Sequence, residues 1–186
     1  LILKIWFYLI VMFSVYNDPI VIKKFITTEY CDKIINMSKH DLKTSLINLN
    51  DILDPTIRKS ENTNLTCEHI NKHIVDKCSS ILRQDKFTFE PLHVVKYERG
   101  GFYTPHYDSS IYHVRPYTFI ITLNDNYKGG ETHFPNLNKT YKLEKGDALF
   151  FHNYTTDHLE TTLSFHGGKE VLCGEKWIAN LWINSR

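Results

Sequence analysis

At 186 residues with 42% hydrophobic content, the chain is long enough for one domain with a substantial core. A formal net charge of +1, with 23% charged residues, gives no basic excess and so no argument for a nucleic-acid partner. The four cysteines (Cys31, Cys67, Cys78 and Cys173) contain no C-x-x-C pair, which argues against a structural zinc site.

The chain begins with an apolar run, Leu1 to Phe13, broken only by Lys4. It is shorter than the roughly 20 residues a spanning helix needs. Three readings stand: the remnant of a signal or membrane anchor, an interfacial segment, or a buried first element. The first is favoured, so residues 1–16 are set apart from a domain over 17–186, and membrane association falls to residues 1–13. Asn-x-Ser/Thr triplets at Asn36, Asn64, Asn138 and Asn153 would suit a secretory route through the endoplasmic reticulum, although an Asn-rich chain yields such triplets by chance.

After Asp18-Pro19, residues Ile20 to Ile26 read as a strand. Thr27 or Thr28 can cap a helix that carries Glu29 and Asp32 in its first turn, where the helix dipole favours acids, and Ile34 and Ile35 give it an apolar stripe. Residues 41–63 are polar, include Pro55 and read as a loop-rich connection. A second helix is expected over Thr66 to Leu82. There Cys67, Ile70, Ile74, Cys78 and Ile81 recur at spacings of three and four on one face. Within that helix Cys67 and Cys78 would lie roughly 16 Å apart, too far to bridge each other. His69 and His73 could form a helical metal pair, but two solvent-facing imidazoles are the better reading.

From Phe87 the pattern turns to short β-rich runs: Leu92 to Tyr97, Tyr117 to Leu123, Glu131 to Phe134, Ala148 to His152, and Trp177 to Ile183. Gly-Gly, Asn-Asp and Gly-Asp pairs punctuate them, which predicts an antiparallel sandwich or barrel with the two helices packed outside. In the last run Lys176, Ile178, Asn180 and Trp182 share one face, and Trp177, Ala179 and Leu181 the other. A lysine facing inward is costly without an anion. At the strand end it could instead reach water along its own stem. Arg115 opens the apolar run before Leu123. It is either a solvated strand-end group or, near a metal, a group that positions a substrate carbonyl.

The stretch Tyr97 to Asp108, YERGGFYTPHYD, ends in His106-Tyr107-Asp108. Side chains two apart on an extended chain point the same way, so an imidazole and a carboxylate can reach one ion. The best third ligand downstream is His166 in Ser164-Phe165-His166-Gly167-Gly168. Two imidazoles and one carboxylate on one face of an iron leave open positions for chemistry.

Taken in order, the motifs Tyr97, Tyr103-x-x-His106-x-Asp108, Arg115 before an apolar strand, Gly129-Gly130-Glu131-Thr132, Gly146-Asp147-Ala148-Leu149-Phe150-Phe151-His152, His166 and Gly174-Glu175-Lys176-Trp177 resemble the prolyl 4-hydroxylase family of Fe(II)/2-oxoglutarate dioxygenases. Arg58-Lys59-Ser60 also resembles an Arg-x-Ser segment of that family, and the likeness covers residues 18 to 186. The resemblance implies a mainly β, α+β fold, a double-stranded β-helix or jelly roll with its N-terminal helices outside. It implies iron held by His106, Asp108 and His166. Lys176 would pair with the far carboxylate of 2-oxoglutarate, with Tyr97 and Thr132 hydrogen-bonding nearby. Tyr103, Arg115 and Trp182 would line the peptide side, while His152 and His158 are decoys, His152 with a structural role. The implied reaction consumes 2-oxoglutarate and O2, releases succinate and CO2, hydroxylates C4 of a prolyl residue in a peptide, and relies on ascorbate to rescue oxidised iron.

The chain departs from the family at Lys169-Glu170, where Cys-Pro is common, and in the shortness of Ser109 to Val114; both bear on substrate choice. The alternatives are a related oxygenase acting on a lysyl residue or a small molecule, and a non-enzymatic jelly-roll binding module with a structural metal. The last would tolerate replacement of Lys176 and Thr132.

Overall fold

The computed structural model describes residues 15–46, 53–83 and 87–185; the apolar run at residues 1–13 lies outside them. Two α-helices, fifteen strands and two 3-10 turns (Pro135–Leu137 and Thr162–Ser164) are found among the described residues: β1 (Ile20–Ile22), α1 (Thr28–Ser38), β2 (Lys43–Thr44), β3 (Arg58–Lys59), β4 (Glu61–Asn64), α2 (Glu68–Leu82), β5 (Phe87–Phe89), β6 (His93–Tyr97), β7 (Phe102–His106), β8 (Tyr117–Thr122), β9 (Lys128–Gly129), β10 (Thr132–Phe134), β11 (Lys139–Tyr141), β12 (Ala148–His152), β13 (His166–Gly168), β14 (Val171–Cys173) and β15 (Lys176–Ser185). A major sheet runs β1-β12-β8-β15-β6-β4-β2, with β5 pairing the end of β15. A minor sheet runs β11-β10-β13-β7-β3, and β14 pairs β9. The ladders are antiparallel.

The period of two in a strand sorts the core into two layers. On β8, Phe119 and Ile121 join Ala179 and Leu181 of β15, Val94 of β6 and Ala148 of β12 in a cluster that receives Ile34 of α1 and Ile70, Ile74 and Cys78 of α2. The opposite side chains (Ile120, Ile178, Val95, Leu149 and Phe151) meet Phe134 and Val171 between the sheets. Both faces of the major sheet are therefore covered, which is why its central strands read as nearly unbroken apolar runs. Burying each Leu, Ile or Phe in such layers contributes about 1.5–3 kcal/mol.

The predicted helices are present and lie outside the sheets. Thr27 is the N-cap of α1, its hydroxyl accepting from Tyr30 N at 3.4 Å. In α2, Ile70, Ile74 and Cys78 are fully buried, whereas Ile81 in the last turn is 39% exposed. His69 is exposed, as read, but His73 is half-buried and stacks on Tyr30 at 4.5 Å, so the solvent-facing reading holds for His69 alone. All four cysteines are free thiols. No described helix is long and apolar enough to cross a membrane.

Two expectations change. The strand read over Ile20 to Ile26 stops at Ile22, because Asp147 draws the chain into a turn. Its Oδ1 accepts from Lys24 N at 3.0 Å and its Oδ2 from Lys23 Nζ at 2.7 Å, with Lys24 at φ +52°. The connection over 41–63 contains β2, β3 and β4. Their residues are polar because they sit toward the sheet margins, and their pairing comes from distant partners such as Glu61 opposite Lys96 and Arg58 opposite Tyr103. Strand β7, which carries His106, also had no strand signature of its own: it includes Pro105 and is held between β13 and β3.

Candidate active site

Strand pairing assembles the site. In the antiparallel ladder of β7 and β13, His106 stands opposite His166. Asp108 follows β7 by two residues. Gly167 lies at the irregularity of this ladder, where a Cβ would come within 2.8 Å of Tyr103 O and 2.9 Å of Pro105 N, so only glycine lets the strands approach this closely. The ligand-type atoms of His106, Asp108 and His166 all fall within 4.8 Å of one another. Among the described residues this is the one such group.

The protons are arranged for metal binding. His106 Nδ1 lies 3.0 Å from Thr104 O and His166 Nδ1 lies 2.9 Å from Ser164 O. A carbonyl can only accept, so each Nδ1 carries a hydrogen and each Nε2 is the nitrogen left to ligate a metal. The two Nε2 atoms lie 3.6 Å from Asp108 Oδ1 (His106) and 3.6 Å from Asp108 Oδ2 (His166). Burial lowers the His166 pKa to about 4, so the ring is neutral near pH 7. Burial opposes ionisation of Asp108, but His166, His106 and the Thr118 hydroxyl outweigh it and hold the carboxyl below its usual range. Two imidazoles and a carboxylate form the facial donor set suited to non-haem Fe(II), with room for further ligands.

Lys176 is the first residue of β15 and only 4% exposed, which decides between its two sequence readings in favour of the interior. Its Nζ donates to Gly130 O at 2.7 Å and sits 5.3 Å from the centre of the Tyr97 ring. Burial, then Lys142, push its pKa down to about 8, with Glu131 opposing. An ammonium has three hydrogens, so an anion entering here meets donors. Tyr97 and Thr132 are buried beside the same cavity.

Tyr103 stacks on the His106 ring at 3.7 Å, and the Arg58 guanidinium lies 4.7 Å from the Tyr103 ring centre. Arg115 is not a free surface group. It pairs with Glu90 through two contacts of 2.6 and 2.7 Å, donates from Nη1 to Asp108 O at 3.0 Å, and lies 4.2 Å from the Trp182 ring centre. All nine residues singled out by the sequence (Tyr97, Tyr103, His106, Asp108, Arg115, Thr132, His166, Lys176 and Trp182) line one open cavity of about 920 Å³. His152 lies outside it, packed edge-on against Tyr117 at 5.0 Å, and His158 is exposed.

Sequence reading missed several contributors. Thr118 donates to Asp108 Oδ2 at 2.9 Å; its signal was a polar residue on the inward face of an apolar strand. Glu90, the partner of Arg115, carried no signal, because a lone acid before a proline says nothing of a partner 25 residues away. His93 also lines the cavity, with Nδ1 2.9 Å from Asn64 Oδ1 and a pKa lowered to about 4, chiefly by burial.

The model of the 2OG-Fe(II) oxygenase superfamily matches residues 92–184. A protein of Acanthamoeba polyphaga mimivirus named for prolyl 4-hydroxylase is 32% identical, covering 92% of this chain and 76% of that one. Prolyl 4-hydroxylase 13 of Arabidopsis thaliana is 29% identical over 87% of this chain and 69% of its own. The crystal structure of the collagen prolyl hydroxylase of Paramecium Bursaria Chlorella virus-1, in its 2OG complex, superposes with a TM-score of 0.73 at 28% identity, covering 91% of this chain and 97% of that one. A Trichoplax adhaerens prolyl hydroxylase in complex with a hypoxia inducible factor peptide fragment also gives 0.73, covering 91% and 84%, but at 16% identity it speaks for the fold alone. With ordered motifs, the family-model match, the relatives' identity and a His-Asp-His group in agreement, the chain belongs to the prolyl 4-hydroxylase family of 2OG-Fe(II) oxygenases.

Proposed function

We propose that this chain hydroxylates prolyl residues of a peptide at C4, using Fe(II), 2-oxoglutarate and O2, releasing succinate and CO2, and drawing on ascorbate to keep the iron reduced. The observation that carries the reading is the convergence of His106, Asp108 and His166 in the same cavity as the buried ammonium of Lys176. A purely structural metal would more usually have a closed shell of protein ligands and no buried lysine beside it.

In this reading Nε2 of His106, Nε2 of His166 and the Asp108 carboxylate hold the iron. The iron, once bound with its co-substrates, supplies the oxidising power to break an unactivated C–H bond. The protein supplies placement. Lys176 pairs with the far carboxylate of 2-oxoglutarate, and Tyr97 and Thr132 add hydrogen bonds at that end. Tyr103 stacks on His106 and would hold that ring in place beside the metal. Arg115, fixed by Glu90, and Trp182 form a rigid polar-aromatic wall beside which a peptide can lie. The cavity extends past the metal group to Lys43, Thr44 and Tyr112, a length that suits an extended peptide better than a compact metabolite.

The test is succinate release by the Fe(II)-loaded protein with a panel of proline-rich, lysine-containing and control peptides, each analysed by mass for one added oxygen. Release stimulated by proline peptides, with oxygen on the proline ring, is the expected result. Oxygen placed on lysine, or turnover that no peptide stimulates, would overturn the prolyl assignment.

A further inference from the structure

Beneath Asp108 lies a chain of hydrogen bonds whose direction is fixed by chemistry. Thr118 on β8 is fully buried, with Oγ1 2.9 Å from Asp108 Oδ2. Asn153, the residue after β12, is 4% exposed; its Nδ2 lies 3.0 Å from Thr118 Oγ1 and 2.8 Å from the carbonyl oxygen of Arg115. The Arg115 carbonyl can only accept, so Asn153 must face it with its NH2 group. That NH2 then also donates to Thr118 Oγ1. A hydroxyl has a single proton, and with its oxygen engaged as acceptor the proton is left for the ionised carboxylate of Asp108.

This orientation leaves Asn153 Oδ1 buried without a hydrogen-bond partner among the described residues. Buried polar atoms without partners are uncommon in native proteins and call for a reason. Here the reason is the direction of the relay: turned over, the amide would set its oxygen against the Arg115 carbonyl and draw the Thr118 proton away from Asp108. The backbone of Asn153 is pinned as well. Its N–H donates to Pro116 O at 2.9 Å, and its carbonyl lies 3.5 Å from Ser164 Oγ, whose single proton is shared with Thr161 O at 3.3 Å, while the Ser164 carbonyl accepts from His166 Nδ1. One residue thus ties together the segments that carry two members of the His-Asp-His group. The side chain of Asn153, the first residue of the Asn153-Tyr154-Thr155 triplet, is thus buried in the folded chain.

We propose that Asn153, acting through Thr118, is a positioning residue for the metal centre: the relay fixes the rotation of the Asp108 carboxylate, supplies Oδ2 with a donor and leaves Oδ1 free of one. The inference rests on the reading of His106, Asp108 and His166 as ligands. Outer partners of metal ligands typically change affinity by about 10–100-fold when removed.

The experiment is equilibrium titration with Co(II), a redox-stable stand-in for Fe(II), followed by its visible spectrum well below the unfolding midpoints, with metal-free thermal unfolding measured for each variant. Thr118→Val is expected to weaken Co(II) binding about tenfold or more. Thr118→Ser should restore it to near the wild-type value, since the hydroxyl and not the methyl acts. Asn153→Ala should also weaken binding, and T118V/N153A should bind no more weakly than T118V alone, because residues acting through one path are not additive. Should T118V fail to fold, comparison of Asn153→Ala with Asn153→Gln, which keeps the amide, carries the same test, with recovery expected in the Gln variant. Wild-type affinity in T118V, affinity in T118S as low as in T118V, or additive losses in the double variant would each overturn the relay. A wild-type chain whose Co(II) affinity is untouched by His166→Ala would instead overturn the ligand reading itself.

Discussion

Lys176 shows how a single buried charge links pH to co-substrate binding. Its pKa is lowered to about 8, mainly by burial, so the free protein carries the ammonium below that pH and loses it above. If this ammonium meets the far carboxylate of 2-oxoglutarate, bound co-substrate raises the lysine pKa, and affinity is highest below pH 8 and falls as pH rises through it. A series of KM values for 2-oxoglutarate on both sides of pH 8 checks this; a KM flat across that range would contradict it. Lys176→Met should raise that KM by about 10–100-fold, the scale of one charge-assisted contact, and should flatten the pH profile. The same variant without metal should melt no lower than wild type. A lysine whose folded pKa lies below its unfolded value weakens the folded state at neutral pH, and that penalty is relieved as pH rises through about 8 toward the unfolded value. At this scale the sequence was informative but incomplete. His106 and Asp108 are picked out by their spacing only together with the motifs around them. His166 is one of ten histidines and is singled out by its place before Gly167-Gly168 and by the family motif order. Asn153 read as a triplet motif, because nothing local reveals that its amide reaches Thr118, 35 residues away.

At the level of elements, alternation and helical spacing carried most of the information. Strand β12 spans Ala148–His152 as its apolar run suggests, and β15 sends Lys176, Ile178, Asn180 and Trp182 into the cavity while Trp177, Ala179 and Leu181 pack under the helices. Those patterns are legible because burial on a strand or helix repeats with the geometry of the element. The polar strands β3 and β4 were not, since they are held by partners distant in sequence and their side chains have no apolar face to betray them. The outer layer and the site should therefore respond separately to mutation. Ile74 is fully buried in α2 against the side of the major sheet away from the cavity. Ile74→Ala should lower the free energy of unfolding by about 2–5 kcal/mol, measured by denaturant titration. Co(II) affinity, measured while the variant is still folded, should be unchanged. A matching loss of affinity would mean that the helix layer and the metal group are coupled more tightly than their separate packing clusters imply.

Across the whole molecule, two sheets enclose one cavity, with the His-Asp-His group, the buried ammonium and the Arg115–Trp182 wall all opening into it. That convergence follows from topology. β7 and β13 bring the imidazoles together in the minor sheet, while β15 of the major sheet brings Lys176 and Trp182 to the same space. The central claim is that these parts form one centre in which co-substrate binding depends on metal. Calorimetric titration of 2-oxoglutarate into the Fe(II)-loaded protein under strict exclusion of oxygen tests it most directly. One site per chain is expected, with no binding without metal, none in His166→Ala and weakened binding in Lys176→Met. Binding of equal strength with and without Fe(II), or untouched by both substitutions, would contradict it.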